Sequence, residues 1–560
     1  MNAEAAQAEL IGYWPLREDS RDHSGAGGHG EARHVAFTVG EDGTSAACFN
    51  GSSSEVVIPD APARDLGQEF SLSAWIYTET DLGDTLGDLA SRYDPATRCG
   101  FQLSLLNFAG VTNAHANQRN LHFGLDAARG GHAWQDCGRP GAAIYVCALC
   151  VSGGHLYAGT YEQGASEAGH VYVYAGKDHW EDCGSPDPCN SVTALAEYEG
   201  VLYAGVSRYR AAGSALEESR NPHPGGRIYR YEGGRRWTDC GKLGGPDSTA
   251  QSAAYGESLR RFAGWSPDEV DSVHNLTVFQ GRLYAIPIYH QGLYRYEGGV
   301  DWSDCGSPGV RLMSLTGFRD HLYGAGNEGN QCGGVYRYDG ERRWYRTGNQ
   351  PGVTQTYSFL VYQAHLYVGT WPEATVFRYD GGEQWSHCGR LGEELEVMGM
   401  AAYNGQFYAG TLPLAQVYRY QGGRSWELSA QLDHTPDVRF RRAWSMAVYQ
   451  GRLFCGTLPS GHVFSLEAGI NVTHDHALRP GWVHVAAVRA SGRLRLFVDG
   501  LPVAESRPLR AEEAYPAPPG LPLRLGSGPH DFFRGRMRDV RLYRRALSTE
   551  DVQNLMTFMR

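Results

Sequence analysis

Hydrophobic and polar residues alternate in short stretches along most of the chain, and glycines separate the stretches. Between residues 134 and 466 these stretches recur as one unit. An apolar segment such as 192–198 is followed by a Leu-Tyr-Ala-Gly type segment such as 202–206, and then by a Val-Tyr-Arg-Tyr segment such as 417–420. A Gly-Gly turn and a Trp-x-Asp-Cys-Gly type segment complete the unit. Their short length and their β-branched and aromatic residues predict strands rather than helices.

Four strands in every ~41–46 residues are typical of a β-propeller blade. The tryptophan that marks the last strand occurs seven times, which predicts a seven-bladed ring; the markers are Trp134, Trp180, Trp237, Trp302, Trp344, Trp385 and Trp426. The last unit, 443–466, has no tryptophan strand of its own. We therefore expect the strand at Trp134 to complete this unit beside Val463–Leu466, so that no outer strand is missing.

The residues outside the repeat read as two halves of one domain. The segments that carry this reading are 11–16, 19–25, 47–51, 70–76, 482–488, 494–500 and 533–543. They resemble the concanavalin A-like, laminin G-like lectin domains, which implies a jelly roll that breaks off after 121–125 and resumes near Ala477. We therefore predict an all-β protein: a seven-bladed β-propeller in 131–468 inserted into a concanavalin A-like β-sandwich formed by 1–130 and 469–560.

Length and charge agree with this division. A chain of 560 residues is too long for one core, because cores stop growing near ~250–300 residues. The net charge is −12 without a long basic run, which argues against nucleic acid and anionic membranes as partners. No run of 18 apolar residues occurs, so we expect no membrane-inserted helix. Residues 1–10 lack the features of a signal peptide. We expect an extracellular or periplasmic protein whose leader is absent from this sequence, with a cytoplasmic location left open.

Five of the 12 cysteines occupy the same place in the repeat, Trp-x-x-Cys-Gly. Equivalent positions in different blades lie too far apart for a disulfide. We therefore expect these five to be small buried residues without a bridge. A bridge between Cys150 and Cys189 stays open at this stage.

Two long segments, 207–227 and 241–271, interrupt an otherwise regular repeat. Long insertions on a regular scaffold are uncommon without a use, so we predict a ligand site at the mouth of the propeller channel. The predicted catalytic residues are His274, Tyr289, His290 and Arg311. The predicted ligand-binding residues are Tyr161, Arg208, Tyr209, Arg210, His223, Tyr357, Trp371, His434, Arg441 and Trp444.

Aromatic faces stack on sugar rings, and arginine binds carboxylates and sulfates in pairs of hydrogen bonds. This mixture favours a protein that binds a neutral or acidic polysaccharide through the propeller mouth and the lectin-like sandwich. The alternative is an enzyme, above all a β-eliminating polysaccharide lyase, in which arginine neutralises the carboxylate while histidine and tyrosine move protons. In fold and residue type, but not in any motif, such a mouth is similar to that of seven-bladed ulvan lyases.

Two further functions are weighed. A glycoside hydrolase needs two acids at the mouth, and the candidates are Glu162, Glu328 and Glu373. A protein–protein interaction scaffold is a common use of propellers. No feature of the sequence names a particular glycan or linkage.

The lectin-domain resemblance also implies a calcium site. Asp19, Asp22 and Asp539 fall in segments that resemble calcium-binding positions of such domains. Carboxylate oxygens on a glycine-rich loop suit calcium. The competing interpretation is an Asx turn that only closes the loop.

Overall fold

The computed structural model describes residues 9–61, 65–81, 86–127, 133–164, 166–244, 269–327, 333–510, 513, 515 and 520–557. Within those ranges the regular secondary structure is almost wholly strand, with one α-helix, α1 (Thr549–Thr557), and one 3-10 turn, Ala211–Ser214. None of the helices in the described ranges is both long and apolar enough to span a bilayer. The predicted all-β class is confirmed.

Strands from both ends of the chain form two sheets around a common apolar core. The outer sheet contains β1 (Leu10–Trp14), β3 (Ala36–Val39), β4 (Ser45–Asn50), β6 (Phe70–Thr78), β40 (Gly481–Ala490), β41 (Arg493–Val498), β42 (Leu501–Glu505) and β44 (Arg534–Tyr543). The inner sheet contains β2 (Glu31–Arg33), β5 (Glu55–Ile58), β7 (Gly87–Asp94), β8 (Cys99–Phe108), β10 (Asn117–Ala127), β39 (Ile470–His474) and β43 (Leu523–Leu525).

Each sheet of this sandwich mixes early and late strands. The outer order is β3-β4-β44-β6-β40-β41-β42 with β1 beside β44, and the inner order is β2-β5-β43-β7-β8-β10-β39. Leu125 of β10 pairs with Ile470 of β39, so the late strands rejoin the sandwich earlier than the expected resumption near Ala477. The domain boundaries near 130 and 468 stay predictions.

The chain between β10 and β39 forms the propeller, and its strands follow in order. They are β11 (Trp134–Asp136), β12 (Tyr145–Ser152), β13 (His155–Tyr161), β14 (Val171–Gly176), β15 (His179–Asp182), β16 (Ser191–Tyr198), β17 (Val201–Ser207), β18 (Arg227–Tyr231), β19 (Trp237–Lys242), β20 (Asn275–Phe279), β21 (Arg282–Ile286), β22 (Tyr294–Gly298), β23 (Asp301–Asp304), β24 (Leu312–Phe318), β25 (His321–Gly326), β26 (Gly334–Tyr338), β27 (Trp344–Arg346), β28 (Gln355–Tyr362), β29 (His365–Trp371), β30 (Thr375–Gly381), β31 (Gln384–Arg390), β32 (Glu396–Tyr403), β33 (Gln406–Leu412), β34 (Gln416–Gly422), β35 (Ser425–Gln431), β36 (Arg442–Tyr449), β37 (Arg452–Leu458) and β38 (Val463–Leu466).

The propeller does not consist of the predicted seven separate sheets. In the described part of the chain, five four-stranded sheets stand alone: β20–β23, β24–β27, β28–β31, β32–β35, and β36–β38 with β11. The units β12–β15 and β16–β19 are joined in one sheet, because Tyr161 at the end of β13 pairs with Ser191 at the start of β16, and the short strand β9 (Ala114–His115) beside β16 brings this sheet to nine strands. The innermost strands contact one another around a ring, and β36 contacts β12.

The predicted ring closure is confirmed. β11 pairs antiparallel with β38, with Trp134 opposite Leu466 and Asp136 opposite Phe464. The first propeller strand thus supplies the outer strand of the last sheet. This pairing fastens the two ends of the ring to each other through backbone hydrogen bonds.

The repeated Trp-x-Asp-Cys-Gly segment links neighbouring sheets. The Trp302 indole N–H donates to the Cys240 carbonyl of the preceding unit at 2.8 Å, and three more markers donate in the same way to Cys137, Cys183 and Cys388. The aspartate of the segment accepts the glycine N–H two residues later, as Asp304 does from Gly306. The repeated segment therefore links successive units through a hydrogen bond from tryptophan to a backbone carbonyl, which we call a latch.

The five repeat cysteines are buried, as expected, and every described cysteine is free. The bridge left open between Cys150 and Cys189 is therefore absent. Both thiols are buried beside the inner strands, where Cys150 contacts the His115 carbonyl. They act as small packing residues.

One latch tests this account. Trp302→Phe removes a hydrogen bond to a buried carbonyl and is expected to lower the free energy of unfolding by about 1 kcal/mol. Trp344 is the matched control, because its indole nitrogen has no hydrogen-bond partner among the described residues. Trp344→Phe should cost less than Trp302→Phe when urea midpoints are compared. Equal losses would show that packing of the indole ring, and not its hydrogen bond, accounts for the loss of stability.

Candidate binding site at the propeller mouth

A segment of the sandwich fills the central channel of the propeller. Residues 109–116, which we call the finger, connect β8 to β10 and are all buried. Within the finger lies β9 (Ala114–His115), which pairs in parallel with β16. The finger carbonyls of Gly110 and Ala116 accept N–H groups from β28 and β12. The finger thus takes hydrogen bonds from several sides of the ring at once.

The tip of the finger forms the floor of the mouth. The Thr112 carbonyl accepts the Asn275 side-chain amide at 2.7 Å. Asn113 accepts the Trp444 indole N–H at 3.0 Å, and its amide nitrogen lies 3.3 Å from His274 Nδ1. Because all innermost strands run in one direction, the residues that precede or begin them lie at this same end of the channel. The finger therefore closes the channel beneath this end of the ring.

The side chains above the floor come from the starts of four innermost strands. His274 precedes β20, Arg311 precedes β24, Glu396 begins β32 and Arg442 begins β36. All four are buried. The Arg311 guanidinium donates to the Ile288 carbonyl at 3.0 Å and also to Asn327. A ring of sheets is what brings these residues, distant in sequence, to one place.

The predicted long loop after β17 lies over this cluster. Its 3-10 turn ends at Ser214, whose hydroxyl bonds both Arg442 and Tyr209. Tyr209 packs on Tyr145 and Tyr161, with ring centroids 5.5 and 5.3 Å apart. The half-buried residues around this apolar cluster include Leu216, Tyr357, Trp371 and Phe440. The loop therefore covers the cluster with aromatic residues.

The cluster carries buried positive charge. Arg442 is only 8% exposed and packs 5.5 Å from the Trp444 ring, and it forms no ion pair with a described carboxylate. Burial raises the pKa of Glu396 to about 8, although Arg442 and Arg311 oppose the shift. Glu396 is therefore mostly protonated at neutral pH and does not neutralise Arg442. One Glu396 oxygen, Oε1, has no hydrogen-bond partner among the described residues.

The predicted catalytic residues fall into two groups. Burial, together with Arg311, lowers the pKa of His274 to about 3, so its imidazole is neutral at physiological pH. Tyr289 lies elsewhere in the mouth, where its hydroxyl accepts the Arg210 backbone N–H at 2.7 Å. His290, next along the chain, is buried. The structure thus places His274 with Arg311, and Tyr289 with Arg210.

The predicted binding residues differ in how far they are buried and in what they contact. Arg210 forms a buried ion pair with Asp271 at 2.8 Å. The remaining mouth positions are Tyr161, Tyr209 and Trp444, which are buried, and Arg208, Tyr357, Trp371 and Arg441, which are half-buried. His223 and His434 are exposed and do not belong to the cluster. Whether any of these side chains binds a ligand stays a prediction.

Sequence reasoning missed Asn113, Glu396 and Arg442. Glu396 and Arg442 occupy inner-strand starts, the position that had already drawn attention to His274. A comparison of that position across all units would have identified both. Asn113 belongs to the sandwich flank, and no repeat pattern points from there into the channel.

Two of the three candidate acids for a glycoside hydrolase, Glu162 and Glu373, lie in the described part of the chain. Glu162 is buried and its carboxylate accepts the Tyr172 hydroxyl at 3.0 Å. Glu373 is exposed, and Glu328 lies outside the described residues. The described part of the chain therefore shows no pair of free acids from this set at the mouth.

Each of the three candidate calcium ligands has partners within the protein, and calcium binding by them stays a prediction. Asp22 accepts backbone N–H groups from Tyr13, Ser24 and Gly28. Asp539 lies between the Arg17 and Arg538 guanidinium groups, at 3.6 and 3.9 Å. Asp19 accepts the Arg21 N–H in an Asx turn. Across the described ranges, no three His, Cys, Asp or Glu side chains cluster as metal ligands.

Comparison with known proteins supports the sandwich assignment. Residues 459–553 match the family described as the concanavalin A-like lectin/glucanases superfamily. A search of curated proteins finds no match. The chain thus combines a propeller-like ring of sheets with a concanavalin A-like domain.

Solved structures offer only distant likenesses. A sialidase from Trypanosoma rangeli is 10% identical, covering 77% of this chain and 95% of its own, with a TM-score of 0.26. A catalytically inactive virginiamycin B lyase from Staphylococcus aureus is 9% identical over 60% of this chain and 99% of its own, with a TM-score of 0.41. A gluconolactonase from Xanthomonas campestris is 12% identical over 61% and 99%, with a TM-score of 0.32. Likenesses this weak carry no argument about function.

The contact between finger and ring is testable by a double-mutant cycle. Asn113→Ala leaves the buried Trp444 indole N–H without its acceptor, and we expect it to lower the free energy of unfolding by about 1–3 kcal/mol. Trp444→Phe removes the donor as well. Non-additivity of the two losses measures the contact itself. Strictly additive losses in urea denaturation would contradict the proposed floor of the mouth.

Proposed function

We propose that this protein binds an acidic carbohydrate and that the propeller mouth holds the anionic group of one sugar residue. The observation that carries the proposal is the buried Arg442 guanidinium, which has no carboxylate partner among the described residues. A buried charge without a counter-ion is costly. A carboxylate or sulfate supplied by a ligand would neutralise it with charge-assisted hydrogen bonds.

The surroundings of Arg442 suit a sugar acid. Arg311 supplies a second buried guanidinium on the neighbouring side of the pocket. Protonated Glu396 and neutral His274 offer hydrogen-bonding groups of no net charge. The half-buried rings of Tyr357 and Trp371 lie next to the pocket, where flat sugar faces stack well. The concanavalin A-like domain, which matches a superfamily of lectins and glucanases, is compatible with carbohydrate interaction.

A second candidate function is β-elimination at the same site. His274 Nε2 has no hydrogen-bond partner among the described residues, whereas Nδ1 faces the Asn113 amide nitrogen at 3.3 Å. In the tautomer that carries its proton on Nδ1 and gives up this Asn113 contact, Nε2 would accept the C5 proton of a bound uronate beside Arg311 and return it to the leaving oxygen as the C4–O bond breaks. Its low pKa makes it a weak base. Absorbance of the unsaturated product after incubation with uronate polysaccharides separates the two functions. A lyase would lose that product in His274→Ala.

The central test is binding of a uronate tetrasaccharide by isothermal titration calorimetry. Arg442→Gln is expected to weaken binding about tenfold or more, equal to about 1.4 kcal/mol, because the ligand charge loses its partner. Arg230→Gln, which changes a partly exposed arginine on β18 that pairs with Glu232, is the control and should bind as the wild type does. Retention of the wild-type melting temperature in Arg442→Gln excludes unfolding as the cause. Unchanged affinity in Arg442→Gln would refute the site.

Glu396 gives this binding a pH dependence. With a pKa of about 8 in the free protein, Glu396 is protonated below pH 8 and gains negative charge above it. A bound anion favours the protonated form, so affinity should fall as the pH rises through 8. Glu396→Gln should show a flat profile between pH 7 and 9.5. A wild-type profile equally flat would mean that the anion does not lie beside Glu396.

A further inference from the structure

A second cavity lies between the sandwich and the propeller, at the end of the ring opposite the mouth. Its volume is about 560 Å³, within the ~300–1,000 Å³ of small-molecule sites. The propeller side is formed by the end of β28 and by β29, β33 and β34, and the sandwich side by β7, the loop after it, β43 and the segment that follows β43. The cavity exists only because the two sets of sheets face each other.

Tyrosines line this cavity on both sides. Tyr362, Tyr367 and Tyr420 form the propeller wall, and successive ring centroids lie 6.3 and 6.4 Å apart. Tyr93 faces them from the sandwich, with its hydroxyl 3.4 Å from the Gln406 amide nitrogen. Three of these four rings are partly exposed and Tyr367 is nearly covered. Aromatic faces are thus presented from two domains toward one space.

Hydroxyl groups in the cavity lack protein partners. Among the described residues, neither the Tyr362 nor the Tyr367 hydroxyl makes a hydrogen bond. The Gln363 amide, in contrast, donates to the Gly528 carbonyl at 2.8 Å and ties the two walls together. The free phenols are therefore donors and acceptors that a polar ligand can use.

The charges that line the cavity are balanced. Arg524 pairs with Glu55 at 2.6 Å, and Arg98 pairs with Asp126 at 3.0 Å. A balanced lining does not select an anion, unlike the mouth with its unpaired Arg442. Stacking rings with hydroxyl and amide groups but no net charge suit an uncharged, hydroxyl-rich molecule.

We propose that this interdomain cavity is a second carbohydrate site, which binds a neutral oligosaccharide. The sugar faces pack on Tyr93 and Tyr420, and sugar hydroxyls bond the phenols of Tyr362 and Tyr367. The site goes beyond the binding of an anionic group at the mouth and does not depend on it. Two separate sites of different charge preference would let one molecule hold two kinds of glycan.

The test titrates the full chain with cellotetraose, mannotetraose and xylotetraose. We expect at least one to bind, and the double variant Tyr362→Phe/Tyr367→Phe to bind it about tenfold more weakly, because only two hydroxyls are removed. Tyr323→Phe is the matched control. Tyr323 occupies in β25 the place of Tyr367 in β29, opposite Arg337 as Tyr367 is opposite Arg378.

The outcomes separate this site from the mouth. Neutral-sugar binding that survives Arg442→Gln but is weakened in the double variant supports the cavity. Failure of all three tetrasaccharides to bind, or equal affinity in wild type and double variant, overturns it and leaves uronate binding at the mouth untouched. Weakening of the same size in Tyr323→Phe would also overturn it, since that residue lies outside the cavity.

Discussion

The finger is the element on which the rest of this architecture depends. Buried polar backbone needs hydrogen-bond partners, and the innermost strands of an empty ring would expose theirs to a channel. Here the carbonyl of Ala116 accepts Val151 N–H, and the carbonyl of Gly110 accepts Phe359 N–H. One segment of the sandwich thereby fills the channel, contacts several sheets and sets the depth of the mouth.

Contacts between the sandwich and the propeller extend beyond the finger and couple the two domains. The inner sheet turns polar residues such as Gln102 and His122 toward the propeller and its apolar residues toward the sandwich core. The tight turns at the far ends of the innermost strands rest on that polar face, as Gly405 does when its N–H donates to His530 at 2.7 Å. With two chain crossings as well, the domains have little freedom to rotate. A rigid seam is what allows a cavity between them to keep its shape.

Much of the ring was predictable because its information is local and repeated. The Trp-x-Asp-Cys-Gly segment encodes a turn and a latch within five residues, and an incomplete last unit implies that Trp134 must complete it. Other features arise only in three dimensions. The backbone pairing of Tyr161 with Ser191 joins two units into one sheet. A repeat pattern in the sequence cannot predict the pairing of a single residue pair. The finger has no repeat pattern, and the charge of Arg442 becomes informative only once its burial is known.

The position of the finger in the chain has a consequence for biosynthesis. Residues 109–116 leave the ribosome before any propeller strand, since β11 begins at Trp134. The sheets can therefore assemble around a segment that already exists, and nothing has to be threaded through a finished ring. A permuted chain that began within the propeller would make the ring first. Its finger would then have to enter a closed annulus from outside, a step that natural chains almost never require.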